Sequence, residues 1–361
     1  MSRSDKSGSA SKNSSFKIVI AGVVWAFLAA IFFLVYGAGT AKPSDTYLLG
    51  TALFEIVAYF AAAILCLRNA LSSNNVSGKG VWIGLGGGMA FYCLGSCFYA
   101  YWEVILKLNA DVSIGDFFYV LSYLFLIYGM LRAVLERRLN LDPKQWAIIL
   151  GVGTIGVMIA IYVNNASVPS TEQSNFWIAP AQAQSASVKP SVSPSVSPSV
   201  SPSVKASPAA TLKAVPSSVP SVVPPSPVPA IDKSEKPVAE KNSSAPLWAT
   251  QLDDALRPFE TPLNWFYVVA DSCLLTIATA LLTAFWGGRF SQSWRMIAFA
   301  TFSLYVADIW VKYATKTQGD AYKSGSLPEV FFVFAGVLFA IGAVLEYDLS
   351  KSRRTNRRRG A

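Results

Sequence analysis

The sequence contains eight apolar segments, each of about the length that a helix needs to cross a membrane. A bilayer core of roughly 30 Å is spanned by about 20 helical residues, and a helix satisfies its backbone hydrogen bonds without help from water. The sequence therefore predicts an all-α, polytopic integral membrane protein with about eight transmembrane helices. The predicted spans are 18–38, 47–67, 81–101, 116–135, 145–163, 264–286, 294–312 and 328–347.

The composition agrees with a membrane protein and argues against most enzyme classes. Of the 361 residues, 53% are hydrophobic and 14% are charged, values outside the soluble average. The chain has no histidine, which removes the commonest general base and metal ligand. It also has no phosphate-binding glycine loop, dinucleotide fingerprint or nucleophile elbow. We therefore expect no enzymatic activity, no catalytic residue, no cofactor and no metal.

A long stretch rich in proline and serine separates the fifth and sixth spans. Its centre repeats Pro-Ser-Val-Ser and has too little apolar surface to offset the entropy of ordering. We expect it to be disordered, either as a spacer or as a tolerated insertion, although apolar spacing at Trp248, Leu252 and Leu256 indicates a helix near its end. The predicted segments are a basic N-terminus (1–17), a five-span unit (18–163), the linker (164–262), a three-span unit (263–348) and a basic tail (349–361).

The basic residues predict which ends of the spans face the cytoplasm. With the N-terminus inside, 18 of the 30 lysines and arginines lie in inner segments, five in short outer loops and seven in the linker. Both termini are therefore predicted to be cytoplasmic and the linker extracytoplasmic, in the plasma (inner) membrane or an internal membrane. The first span is predicted to be an uncleaved signal anchor, with cleavage after Ala41 as the alternative. The basic tail is predicted to contact anionic lipid headgroups and not nucleic acid.

Two spans begin with the same capping pattern. Ser113 and Ser326 are each followed three residues later by an acid, Asp116 and Glu329, and then by an apolar run. In such a capping box the hydroxyl and the carboxylate accept hydrogen bonds from backbone N–H groups at the helix start.

The similarity extends beyond these caps. At the same offset Gly129 aligns with Gly342, and Trp82 and Trp294 open the preceding spans. Spans two to four and six to eight could therefore be two copies of a three-helix unit, related by an axis along the membrane normal. The alternative is a coincidence of two capped helices.

Residues 113–129 carry a pattern of Ser, Asp, Tyr, Tyr and Gly in the spacing Ser-x-Gly-Asp-x-x-Tyr-x-x-x-Tyr-x-x-x-x-x-Gly. This segment resembles the membrane-embedded N-terminal regions of many bacterial signalling proteins, including some diguanylate cyclases. Such proteins carry a cytoplasmic output domain, whereas this chain continues only from 349 to 361 after its last span. The resemblance therefore implies a sensory membrane module without an output domain. The matching positions are Ser113, Asp116, Tyr119, Tyr123 and Gly129.

Three acids within the spans form a candidate polar site, because a carboxylate in lipid must be paired, protonated or in contact with water. Asp308 has Lys312 one turn later and is predicted to form a local salt bridge. Glu55 and Asp271 have no local base and lie at the same predicted depth, roughly 10 Å from the span start. If their faces turn inward, they approach each other and share a proton. The site then binds a cation or proton from outside; the alternative is hydrogen bonding to Tyr, Ser or Thr.

The third span contains a small-residue pattern, Gly84-x-x-x-Gly88. This spacing is typical of close helix crossings in membranes. We expect a crossing within the bundle, with a homodimer contact as the alternative.

These observations predict a non-enzymatic membrane protein of sensory or scaffold type. The alternative is a small transporter or channel that uses the intramembrane carboxylates. The expected partners are the lipid bilayer and a further protein or a second copy of the chain.

Overall fold

The computed structural model describes residues 3–37, 43–72, 77–108, 112–136, 142–165, 245–285, 291–319 and 322–359. All of these belong to one compact unit, while a second unit, Trp177–Lys241, lies outside them. Residues 166–244, which make up most of the predicted disordered linker, and the alternative cleavage site after Ala41 also lie outside the described residues.

The described residues are helical, with no strand among them, which confirms the predicted all-α class. Eight segments are long and apolar enough to cross a membrane, so the protein is a membrane-embedded, multi-pass protein. A π-helical turn, Tyr101–Ile105, ends the third span, and a 3₁₀ turn, Leu327–Glu329, opens the last one. The helices are α1 (Arg3–Gly37), α2 (Asp45–Leu71), α3 (Lys79–Ala100), α4 (Ile114–Leu135), α5 (Pro143–Asn164), α6 (Leu247–Leu256), α7 (Glu260–Ala284), α8 (Ser291–Gln318) and α9 (Val330–Arg359).

Some boundaries differ from the sequence-based ones. The first helix already begins at Arg3, within the predicted N-terminal segment, and α9 continues to Arg359 through most of the predicted tail. The linker, predicted to run to residue 262, gives way to helix from Leu247 onward. In this helix Ala249 and Leu252 pack against Trp102 of the π-helical turn, whereas Trp248, which belonged to the predicted apolar spacing, is 50% exposed.

Six helices form a closed ring. Each helix contacts the next in the order α2, α3, α4, α7, α8 and α9, and α9 contacts α2 to close the ring. The first helix of each three-helix unit thus packs against the third helix of the other, as a two-fold axis would require. Outside the ring, α1 packs on α9 and α2, and α5 packs on α7 and α8.

The ring is held together by a close crossing in each unit. On α3, a Cβ atom added to Gly84 would lie 2.4 Å from the Cα of Gly129 on α4, so only glycine permits this approach. In the other unit, a Cβ on Gly342 of α9 would lie 2.9 Å from Ile297 of α8. A serine hydroxyl bridges each crossing, from Ser122 to the carbonyl of Gly88 and from Ser293 to that of Gly342, both at 2.8 Å.

These crossings decide between the two interpretations of the small-residue pattern. A Cβ on Gly88 would lie 2.7 Å from Leu126, so Gly84 and Gly88 both face α4 inside the bundle. A homodimer contact through this face is therefore wrong, because α4 already occupies it.

Candidate solute-binding cavity

A cavity of about 440 Å³ opens at the end of the bundle where α2, α4, α7 and α9 begin. The end is opposite to the one from which the Arg-rich C-terminal tail extends. Exposed residues at its rim, Gly319 and Lys323, show that the cavity reaches the surface. We call it the tyrosine cavity, because six tyrosines line it: Tyr92, Tyr99, Tyr119, Tyr123, Tyr267 and Tyr322.

The tyrosine cavity has an excess of acidic side chains. Six carboxylates line it, against three lysines, so its charge favours cationic solutes over anionic ones. The lining acids are Glu55, Glu103, Asp116, Glu260, Asp308 and Glu329, and the lysines are Lys312, Lys316 and Lys323.

Four side chains form a connected cluster, of which Tyr123, Asp308 and Lys312 line the cavity and Asp271 does not. The hydroxyl oxygen of Tyr123 lies 2.6 Å from Oδ1 of Asp271 and 2.5 Å from Oδ2 of Asp308. Lys312 Nζ lies 3.0 Å from Oδ2 of Asp271 and donates to it. Tyr123 and Asp271 are each only 1% exposed. We call this group, with Lys312, the Asp–Tyr–Asp cluster.

The cluster corrects the predicted salt bridge between Asp308 and its neighbour one turn later. Lys312 pairs with Asp271 on α7, and no ion pair between Asp308 and Lys312 forms among the described residues. The four-residue spacing between Asp308 and Lys312 predicted a pair within α8, but α7 packs directly against α8 and offers Asp271 as the partner. The lysine therefore reaches across to a carboxylate that no other described base neutralises.

The third predicted acid has different partners. Glu55 accepts a hydrogen bond of 2.6 Å from the hydroxyl of Ser96, and Tyr119 donates to the same serine at 3.3 Å. No described contact joins Glu55 to Asp271; the acid that shares a partner with Asp271 is Asp308. Glu55 therefore takes part in a hydrogen bond between α2 and α3, which was the alternative considered for these acids.

Both capping boxes form, and both point into the cavity. The Ser113 N–H donates to Oδ2 of Asp116 at 2.8 Å, and the Ser326 N–H donates to Oε1 of Glu329 at 2.9 Å. Each carboxylate also accepts a hydrogen bond from a tyrosine of the cavity, and the second oxygen of Glu329 accepts from the N–H of Gly325 at 2.8 Å. Tyr267 donates to Asp116 at 2.7 Å, and Tyr322 donates to Glu329 at 2.6 Å.

The loop residue Tyr322 lies outside the membrane-spanning segments. Burial, and then the negative charge of Glu329, raise the pKa of its phenol well above the ordinary value. The phenol therefore remains protonated and can act as a donor at the mouth of the cavity.

Most of the cavity tyrosines could not have been found from the sequence. Tyr119 and Tyr123 belong to the pattern at 113–129. Tyr99 and Tyr267 lie in the outer thirds of their spans and Tyr92 lies near the middle of its span, all three without any motif. Tyrosines at this depth are also typical of the aromatic belt at a membrane surface. Position along the helix therefore did not distinguish a cavity from a lipid contact.

No protein-family model matches this chain, and no curated protein or solved structure is detectably similar to it. Among the described residues, no group of three or more Cys, Asp and Glu side chains could hold a metal ion. The functional argument therefore depends on the geometry and charge of the cavity.

Proposed function

We propose that this protein is a non-enzymatic sensory module of the membrane, which binds a small solute in the tyrosine cavity. The observation that carries the proposal is the cavity itself. It combines hydroxyl and carboxylate groups with aromatic rings and opens at the surface, which are the properties expected of a binding site for a small polar ligand.

The closed inner half of the ring supports sensing over transport. Below the cavity, the ring is filled by side chains that are at most 1% exposed, including Trp82, Trp294 and Phe339. The helices α2, α4, α7 and α8 are unbroken where they line the cavity, and the π-helical turn Tyr101–Ile105 and the 3₁₀ turn Leu327–Glu329 contribute lining residues at its mouth. Transporters commonly bind their substrates at interrupted helices.

The solute would enter from the extracytoplasmic side. The excess of basic residues predicts a cytoplasmic C-terminus, and the cavity opens at the other end of the bundle. In this arrangement the two three-helix units form the wall of the binding site, and a partner protein receives the signal.

A small transporter is the second candidate, and one observation favours it. The Asp–Tyr–Asp cluster places two carboxylates and a lysine inside the spans. Intramembrane ionisable groups of this kind are common in the pathways of ions and protons.

A binding screen with a cavity-filling variant tests the proposal. The melting temperature of the protein in lipid nanodiscs is measured in the presence of each of a set of small amines, alcohols, sugars, amino acids and carboxylates. Ala52 lines the cavity and Ala147 is exposed on α5. We expect at least one solute to stabilise the parent and Ala147→Phe but not Ala52→Phe, because the added ring occupies the cavity.

The same solutes then decide between the two candidates. The sensory proposal predicts binding without uptake into proteoliposomes, whereas uptake that Ala52→Phe abolishes would establish the transporter. If no solute in the screen stabilises the parent, or if Ala52→Phe responds as the parent does, the cavity is not the binding site.

A further inference from the structure

In the Asp–Tyr–Asp cluster, the phenol of Tyr123 has short contacts with two carboxyl groups but only one hydrogen to donate. Two carboxylates lie 2.5 and 2.6 Å from the same hydroxyl oxygen, distances typical of an O–H group bonded to a carboxylate. The phenol of Tyr123 has a single hydrogen and can donate to only one of them. The second contact therefore needs a hydrogen on one of the carboxyl groups.

The position of the lysine indicates which carboxyl group carries this hydrogen. Lys312 donates to Asp271 at 3.0 Å, so Asp271 is the ionised acid. The phenol of Tyr123 then donates to Asp271, and a protonated Asp308 donates to the phenol oxygen. This arrangement gives each of the contacts made by Tyr123 and Lys312 one hydrogen. It also avoids two adjacent negative charges, because Asp308 and Asp271 lie within hydrogen-bonding distance of each other.

Three lysines line the cavity around Asp308, and Lys312 is the one that contacts the cluster. Its side chain is only 14% exposed and already bonded to Asp271. On α5, the described lining residue is the neutral Asn164. The other titratable groups near Asp308 or on the cavity wall are Glu55 and Tyr59 on α2, Tyr92 and Tyr99 on α3, Glu103 in the π-helical turn, Asp116, Tyr119 and Tyr123 on α4, Glu260, Tyr267 and Asp271 on α7, Lys316 on α8, and Tyr322, Lys323 and Glu329 before α9.

A second carboxylate with spare acceptor capacity lines the same cavity. Glu55 receives a hydrogen bond from Ser96, and no described base lies within ion-pair distance of it. Aromatic rings stand beside it: Tyr92 stacks on Tyr59 with ring centroids 3.9 Å apart and contacts Tyr119 at 4.9 Å. Carboxylates together with tyrosine rings suit an organic cation, because ring faces attract positive charge.

We propose that the tyrosine cavity binds a small organic cation, an amine or a quaternary ammonium ion, between Glu55 and Asp308, and that the cation replaces the proton on Asp308. The proton leaves to the solvent as the cation enters, so the charge of the site is unchanged by the exchange. The inference rests on the proposed function, since it requires that the cavity takes up a solute.

Three probes of similar shape and different charge test this inference: tetramethylammonium, tert-butanol and pivalate. Each is titrated calorimetrically into the protein in nanodiscs, in buffers of different ionisation enthalpy, so that proton release is counted. We expect tetramethylammonium to bind and to release one proton. Its affinity should rise by about tenfold per pH unit while Asp308 is protonated, because the proton competes with the cation.

Two variants and a control assign these effects to residues. Asp308→Asn cannot release the proton, so we expect at least a tenfold loss of affinity and no proton release. Glu55→Gln should weaken binding at least tenfold and retain the proton release. The control is Asp142→Asn, which changes an exposed acid at the other end of the bundle and should bind as the parent does.

The ligand-free protein gives an independent measurement of the proton. Its infrared spectrum at neutral pH should contain a band of a protonated carboxyl group that is absent from Asp308→Asn. A spectrum in which Asp308→Asn changes no such band overturns the assignment of the proton.

The outcomes separate this inference from the proposed function. Binding of tert-butanol or pivalate as strongly as tetramethylammonium overturns the cation site but leaves solute binding intact. Cation binding that is independent of pH and releases no proton overturns the exchange. If tetramethylammonium does not bind, the inference is wrong, and the wider screen alone decides whether the cavity binds solutes.

Discussion

The two three-helix units pack in the same way but present different chemistry to the cavity. Both have a serine-bridged crossing and a capped third helix. In the α2–α4 unit, Glu55 meets neutral hydroxyls, whereas in the α7–α9 unit Asp271 meets a lysine. The small and capping residues thus determine the packing, and the larger polar residues determine where charge lies in the cavity.

The largest expected effect comes from the charged unit. Lys312→Met leaves Asp271 buried without its base, and breaking a buried pair in this way costs about 3–5 kcal/mol. Ser96→Ala, at the corresponding polar contact of the other unit, removes a hydroxyl donor and should cost about 1–3 kcal/mol. Chemical unfolding in mild detergent measures both, and equal losses would contradict the difference between the units.

The shared packing predicts a large effect at either crossing. Gly84→Leu forces a side chain into the backbone of α4, which we expect to cost about 3 kcal/mol, and Gly342→Leu should have a similar effect in the other unit. Gly151 on α5 has no atom within 4 Å of its added Cβ, so Gly151→Leu is the matched control. If the melting temperature falls as far in the control as at the crossings, close packing is not the cause.

The caps predict smaller and similar losses. Ser113→Ala and Ser326→Ala each remove one side of a capping box and should each cost about 1 kcal/mol. Measured free energies of unfolding that differ several-fold between the two would show that one cap is not equivalent to the other.

The smallest effect concerns the alkaline limit of stability. In the folded protein the pKa of Tyr322 is raised, so above about pH 10 the unfolded chain loses its proton first and stability falls as pH rises. Tyr322→Phe should make this fall shallower, by at most about 1.4 kcal/mol per pH unit. Melting temperatures between pH 9 and 11 measure this pH dependence. If the slope is the same in Tyr322→Phe as in the parent, the phenol of Tyr322 is in contact with water.

The sequence predicts the parts of this structure that depend on local order. Apolar length identifies the spans, and the serine–acid spacing at Ser113 and Ser326 identifies the two capped helix starts. The partner of Lys312 could not be predicted in this way, because it depends on which helix lies beside α8. The same is true of the contact between Glu55 and Ser96, which joins α2 to α3.

The most direct test of the account asks which side of the membrane the tyrosine cavity faces. Lys323 is exposed at its rim and Lys144 is exposed at the opposite end of the bundle. A membrane-impermeant thiol reagent added to intact cells should label Lys323→Cys above the background of the parent chain, and label Lys144→Cys only after the membrane is opened. Labelling of Lys144→Cys alone from outside would contradict the account, because the cavity would then face the cytoplasm.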